Sequence, residues 1–285
     1  NSGAEANETA LKIARKHTGR RIIVSMTDGF HGRTLGSLGA TGIETYRDPA
    51  YPIPTEHRFI PYGDVAALDD AIRDDTAGVI LEPIPSMGGI QVADDAYFRA
   101  LRERCTATGA FLIFDEVQTG FGRTGRAFFG ENVDVVPDLI TGAKGIASGF
   151  PAGVVYVRED VAAKMAYGEQ GTTFGGGPLA CAAIAANLCV LRDEELMRNA
   201  QEREADVRRL VGNLPGVLEV VGRGLLLGIN LDRPAKPVVA RLISEAHILC
   251  GTAGGNPNQI RLLAPLVLEA AHIEAFAKAL GGLLQ

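Results

Sequence analysis

The order of apolar runs along the 285 residues predicts an α/β protein, with a mainly parallel sheet in a large first domain and a smaller α+β C-terminal domain. Two observations carry this. Short runs rich in β-branched and aromatic residues alternate with helix-patterned stretches through the first two thirds of the chain. Beyond residue 193 a charged amphipathic stretch opens a series of short strands and helices of different character. The predicted domains are therefore 1–193 and 194–285.

Residues 2–15 read as a helix, because Ser2 and Glu5 form an S-x-x-E cap and Ala6, Ala10, Ile13 and Ala14 recur at helical spacing. Arg21-Ile22-Ile23-Val24-Ser25 suits a buried strand. Gly78-Val79-Ile80-Leu81 is a second, ending at Glu82-Pro83, and Ala110-Phe111-Leu112-Ile113-Phe114 is a third, ending at Asp115. Residues 94–108 between these two are helical in pattern, and strand, helix, strand is the unit of a parallel sheet. Residues 153–157 fit one more strand. Residues 178–191, rich in Ala and Leu, read as a long and largely buried helix. An amphipathic helix over 194–214, strands over 218–221 and 225–230, and helices over 238–246 and 273–284 complete the second domain.

Hydrophobic residues make up 46% and charged residues 22%, a globular rather than a disordered balance. A net charge of -6 without any Lys/Arg-rich run argues against a nucleic-acid footprint and for small polar substrates or protein partners. Cys105, Cys181, Cys189 and Cys250 are scattered without a C-x-x-C pair, which reads as four reduced core thiols of a cytoplasmic protein rather than disulfides or a metal site. No apolar stretch is long enough to span a bilayer, so no membrane role is expected. The first residue is Asn1 rather than Met and falls inside a motif, so the sequence reads as part of a longer chain.

Asp115 stands out because it directly follows a fully apolar strand, at the end where open α/β sheets bind ligands. A helix cap or a surface ion pair is the plainer alternative. Gly120, Gly122 and Gly125 form a G-x-G-x-x-G, yet the strand is not joined to a helix there, so a nicotinamide dehydrogenase is disfavoured. Lys144 lies in Thr141-Gly142-Ala143-Lys144-Gly145, where small neighbours let a planar ligand approach. Its amine becomes a nucleophile only if its ordinary pKa of about 10.4 falls, which desolvation would supply. A snorkelling surface lysine is the alternative. Together the two residues suit a pyridoxal cofactor, whose aldehyde needs an amine and whose ring nitrogen needs a carboxylate. Phosphate cradles are offered by the helix start at Ser2-Gly3-Ala4 and by the loop Gly171-Thr172-Thr173-Phe174-Gly175-Gly176-Gly177, although a simple cap and a simple turn explain them equally.

These pieces resemble class III aminotransferases. The resemblance is carried by Asn1-Ser2-Gly3-Ala4-Glu5-Ala6, Phe30-His31-Gly32-Arg33-Thr34, the block from Asp115-Glu116-Val117-Gln118 through Gly125, Ala143-Lys144-Gly145, and Gly171-Thr172-Thr173-Phe174, in the family's order. It implies a type I fold dependent on pyridoxal 5'-phosphate and a homodimer acting on small amino-acid substrates. By the same resemblance, Lys144 carries the cofactor and moves the proton, and Asp115 pairs with the ring nitrogen. Gln118 reaches the ring hydroxyl, Phe30 and Val117 cover the two ring faces, Gly3 and Ala4 bind phosphate, and Thr173 reaches the phosphate of the neighbouring subunit.

Within the family, the segments around Phe30 and Thr172 and the run Asn258-Gln259-Ile260-Arg261-Leu262 are most similar to the acetylornithine aminotransferase branch. That branch implies Arg261 for the α-carboxylate of glutamate, Arg33 for a second carboxylate, and Thr172 beside the substrate. Two guanidinium forks suit a dicarboxylate. Three departures stand against the family pattern. Met87 follows Glu82-Pro83-Ile84-Pro85-Ser86 where a carboxylate is usual, Gln170 stands for a common His, and Gly177 for a common Asn. The first keeps 2,2-dialkylglycine decarboxylation open beside transamination, with 4-aminobutyrate transamination as a further alternative.

Overall fold

A computed structural model describes residues 1–285. In chain order the elements are α1 (Gly3–Thr18), β1 (Ile22–Met26), α2 (Leu35–Ala40), β2 (His57–Ile60), α3 (Ala66–Ala71), β3 (Thr76–Leu81), α4 (Asp95–Thr108), β4 (Phe111–Asp115), α5 (Gly130–Val133), β5 (Leu139–Gly142), β6 (Val154–Val157), α6 (Glu159–Ala162), α7 (Pro178–Asp193), α8 (Leu196–Val211), β7 (Val217–Arg223), β8 (Leu226–Leu231), α9 (Ala235–Ala246), β9 (Gly251–Thr252), β10 (Gln259–Leu262) and α10 (Ala270–Leu284). One-turn 3-10 helices occur at Glu44–Tyr46 and Lys144–Ala147.

Two compact units result. The first comprises 1–83, 93–120 and 128–189; the second comprises 84–92, 121–127 and 190–285. The main crossing thus falls after Cys189 rather than after Asp193, and two short loops of the predicted first domain belong with the second unit.

In the first unit six strands lie in the order β2-β1-β3-β4-β5-β6. The first five run parallel, and β6 pairs antiparallel with β5. Every residue of β3 is buried, as expected for a central strand covered on both faces. On one face α1 packs through Ala10, Leu11, Ile13 and Ala14 against Ile23, Ile80, Ile113 and Leu139. On the other, α4 buries Tyr97, Phe98 and Leu101, and Phe98 meets Phe114 and Phe129 at ring separations of 6.2 and 5.2 Å. Ser2 caps α1 as its sequence suggests: Glu5 N donates to Ser2 Oγ at 3.3 Å. The Glu5 carboxylate accepts instead from Ser2 Oγ and Asn1 Nδ2, so the reciprocal half of the box is made by side chains.

The strand order reverses between β1 and β3, and loops leaving strand ends beside such a reversal form the ligand crevice of open α/β sheets. The loop after β1 carries Phe30, His31 and Arg33, while β4 ends at Asp115 and β5 leads to Lys144.

The second unit is an antiparallel sheet in the order β7-β8-β10-β9. Helices α8, α9 and α10 bury Val207, Val211, Val238, Leu242, Ile273, Phe276 and Leu280 against Leu227, Ile229 and Ile260.

Two expectations are corrected. Helix α7 forms where predicted but is mostly exposed, with only Ala180 and Leu191 buried along it. Its composition is that of a core helix, yet within this chain nothing covers its apolar side. The four thiols are free, but only Cys105 is in the core; Cys181 and Cys189 lie exposed on α7, and Cys250 is half-buried.

Candidate active site

Asp115 is the last residue of β4 and is 2% exposed. A buried carboxylate is tolerated only when its lone pairs are met. Here Oδ2 accepts from Asn7 Nδ2 at 2.7 Å and from His31 Nδ1 at 2.7 Å. Oδ1 accepts the backbone N–H of Val117 at 3.1 Å, which leaves a lone pair on that oxygen. The donors are themselves fixed. Thr141 Oγ1 donates to Asn7 Oδ1 at 2.7 Å, and Asn7 also donates to the His31 carbonyl at 2.7 Å. The network ends at His31 Nε2, buried without a hydrogen-bond partner.

Strand pairing brings the lysine to the same edge. Asp115 lies opposite Thr141 on β5; three residues on along each segment, Lys144 Nζ donates to Gln118 Oε1 at 2.7 Å. Lys144 has φ 45°, a left-handed conformation uncommon outside glycine. Asn187 of α7 steadies this turn by donating to the carbonyls of Gly145 and Ile146 at 2.8 and 3.0 Å. Lys144 is exposed, so the desolvation its chemistry needs is not supplied by this chain's own side chains.

Glu116, next to Asp115, is fully buried. It accepts from Phe129 N at 2.8 and 2.7 Å, from Gly130 N at 3.4 Å and from Thr119 Oγ1 at 3.0 Å. These bonds fasten the 116–119 turn, which carries Val117 and Gln118. Burial pushes the Glu116 carboxyl up to about 7, against the pull of the N–H groups of Phe129 and Gly130 and the Thr119 hydroxyl.

The start of α1 reaches the same place. A Cβ on Gly3 would lie 2.8 Å from Val117 Cγ2, so only glycine lets the helix end approach this closely. The first-turn N–H groups of Gly3 and Ala4 have no intrahelical acceptor. Across from them Gly32, at φ 131°, lies where a Cβ would stand 2.8 Å from Ala4 Cβ. Phe30 is placed by its N–H, which donates to the buried Glu82 carboxylate at 2.9 Å. Thr172 and Thr173 are both exposed, and Thr172 Oγ1 accepts from Asn1 Nδ2 at 3.2 Å.

The fold therefore gathers Gly3, Val117, Asp115, Gln118 and Lys144. Arg261 belongs to the second unit. It is half-buried on β10, and its Nη1 donates to Met87 Sδ at 3.2 Å. Asn7, His31, Thr141 and Glu82 carry no role in the sequence reading. The signals for two of them were available: Asn7 is a polar residue on the apolar face of α1, and His31 sits inside a quoted motif. The G-x-G-x-x-G closes as a turn, with Gly125 N donating to Gly122 O at 3.0 Å, and the next helix begins only at Gly130.

The donor set fits pyridoxal phosphate. It offers a buried carboxylate with an open lone pair, an amine held by an amide, and free N–H groups at a helix start. The family pattern for aminotransferase class-III matches residues 1–284. The chain belongs to the class III aminotransferases. The acetylornithine aminotransferase of Methanocaldococcus jannaschii is 39% identical over 98% of this chain and 72% of its own length. That of Streptomyces coelicolor is 43% identical over 100% of the chain and 71% of its own. Among solved structures, the ornithine aminotransferase of Toxoplasma gondii superposes with a TM-score of 0.91 at 31% identity, over 100% of this chain and 70% of that one. This class III aminotransferase accordingly has the type I fold of the pyridoxal-phosphate enzymes, with a large mixed sheet domain and a smaller domain, and catalyses transamination with that cofactor.

Proposed function

We propose that the enzyme moves the amino group of an acetylornithine-like donor to 2-oxoglutarate, giving an aldehyde and glutamate. The names of the relatives support the substrate class, and the observation that carries the site is the Asp115 network set beside the Lys144–Gln118 pair. Bound pyridoxal phosphate supplies an aldehyde that takes up the amino group and a ring that accepts the electrons released.

The chain's residues divide the remaining work. Lys144 would hold the cofactor through its Nζ, the amine that the cofactor's aldehyde needs. Nζ would also serve as the general base that takes the proton from the substrate's amine-bearing carbon and, as general acid, delivers it to a second carbon rather than back to the first. Asp115 would pair with the ring nitrogen and keep it protonated, while Asn7 and His31 pin the carboxylate through Oδ2. Gln118 would take the ring hydroxyl, Phe30 and Val117 would cover the ring, and the N–H groups of Gly3 and Ala4 would take phosphate. Arg33 reads a second carboxylate with Thr172 beside it, and Arg261 reads the α-carboxylate of glutamate.

We further propose that the enzyme is a cytoplasmic homodimer acting on small amino-acid substrates. The support for the dimer is the concentration of exposed apolar side chains between residues 167 and 190, with Phe174 80% and Leu179 74% exposed. A partner there would cover α7 and receive Thr173 at its phosphate. It would also supply the desolvation that Lys144 lacks in one chain.

A second reading rests on Met87 lying against Arg261, at a position where the family resemblance implies a carboxylate: decarboxylation of a 2,2-dialkylglycine coupled to transamination. One spectrum separates the two. Loss of the cofactor's visible band on adding N-acetylornithine, and its return with 2-oxoglutarate, supports the main reading. Loss only with a dialkylglycine, with carbon dioxide released, supports the second. Lys144→Ala is expected to remove both the covalently bound cofactor and turnover; a variant with normal turnover would overturn the assignment of the lysine.

A further inference from the structure

We propose that Tyr46 is a specificity-determining positioning residue, holding the Arg33 guanidinium at a fixed distance from Phe30 so that the enzyme selects ligands by the placement of their second carboxylate. This rests on the reading of Arg33 as the side chain that binds that carboxylate.

One ring meets both functional side chains. Tyr46 and Phe30 pack edge to face, with centroids 5.4 Å apart and 66° between their planes. The Arg33 guanidinium carbon stands 5.8 Å from the centroid of the same Tyr46 ring. The chain is folded back to make this meeting possible. After Arg33 it forms α2 and returns, and His31 N donates to Thr41 Oγ1 at 3.0 Å while that hydroxyl donates to Gly32 O at 3.1 Å. Gly42 N then donates to Gly29 O at 2.9 Å, at a point where a Cβ would lie 2.2 Å from Met26 O. The 3-10 turn Glu44–Tyr46 follows at once and presents the ring.

Arg33 is exposed, and a free arginine side chain spends much of its time out of position. A ring beneath the guanidinium narrows that freedom before any ligand arrives, which is preorganisation. The two interactions need not compete, because the ring attracts the cationic carbon of the fork whereas a carboxylate takes two N–H groups along its edge. Since the same ring also abuts Phe30, the fork is referenced to the side chain proposed to cover the cofactor. The expected ligands are acids whose second carboxylate lies at one set distance from the reacting group.

The test is calorimetric binding of two probes to the holoenzyme: glutarate, with two carboxylates, and pentanoate, of equal length with one. Tyr46→Leu removes the aromatic face and should weaken glutarate by about two- to fivefold while leaving pentanoate unchanged. Tyr46→Phe keeps the face and should bind both as the parent does. Equal changes for both probes, no change for either, or a loss in Tyr46→Phe matching that in Tyr46→Leu would each overturn the inference. Arg33→Gln separates it from the reading beneath. If that variant keeps the glutarate-to-pentanoate ratio, the role of Arg33 fails; if the ratio collapses there but survives in Tyr46→Leu, only the role of Tyr46 fails.

Discussion

At Asp115 and at Leu179 the chain treats polarity in opposite ways. Asp115 is a charged group sealed in the core, yet three donors from α1, the β1 loop and the chain's own turn meet its oxygens. Leu179 is an apolar group left 74% exposed, on a helix whose Ala- and Leu-rich surface meets little of this chain. The first region is completed within one copy of the chain. The second makes physical sense only when something apolar lies against it, because contiguous exposed apolar surface costs free energy in water. The proposed function divides along the same contrast: the partners of Asp115 are built into the single chain, whereas burial of Lys144 is assigned to the proposed partner and cofactor.

The sharpest break of this comparison is Asp115→Asn. The substitution preserves shape but presents an amide to Asn7 and His31 and removes the anion proposed for the ring nitrogen. Turnover should fall by about 10²- to 10⁴-fold, the range for losing one positioned acid–base group, while cofactor is retained. A variant as fast as the parent would end the electron-sink role. The other region is tested by Leu179→Glu. A charge in place of a leucine that a partner covers should cost about 2 kcal/mol per copy, about 4 kcal/mol per dimer. Sedimentation equilibrium should show monomers at concentrations where the parent dimerises. An unshifted dimer would place the interface elsewhere.

The adjacent carboxylate sharpens the first half of the contrast. Glu116 is as buried as Asp115, but its carboxyl is pushed up from 4.5 to about 7, so the folded chain keeps a proton that the unfolded chain releases. Between pH 4.5 and 7 the folded state therefore binds more protons, and stability falls as pH rises through that window. The loss is about 3 kcal/mol across the window. Glu116→Gln has no proton to keep, and its unfolding free energy should lack this slope in denaturant titrations at pH 5, 6 and 7. A slope equal to the parent's would assign the pH dependence to other groups.

Residues whose chemistry is spelled out locally were legible in the sequence. Lys144 between small residues and Asp115 at the end of an apolar strand announce themselves within a few positions, and α1, β1, β3, β4 and α4 appear close to where their periodicity puts them. What pins Asp115 was not legible, because Asn7 and His31 lie 108 and 84 residues away and acquire their meaning only when α1 and the β1 loop close on β4. Strand β2, with its half-buried residues and a His-Arg start, lacks the apolar signature and was missed. Helix α7 fails differently. Its composition reports that the surface is to be buried but is silent on whether the same chain buries it.

The smallest expected effect concerns the second unit, where Arg261 meets a thioether. Sulfur is a weak acceptor, so the contact of Nη1 with Met87 Sδ at 3.2 Å leaves the charge of the fork unneutralised. A carboxylate at position 87 would stand within reach of the same nitrogen and compete with any anionic ligand for it. Both residues are half-buried, so the ion pair created by Met87→Glu should be worth about 1 kcal/mol, or about fivefold in KM for an amino donor with a carboxylate beside its amine. A donor without that carboxylate makes no use of the fork, and its KM should not move. Equal shifts for the two donors would mean that position 87 acts on the pocket as a whole; a shift confined to the carboxylate-bearing donor would identify the methionine as what keeps Arg261 available in both halves of the reaction.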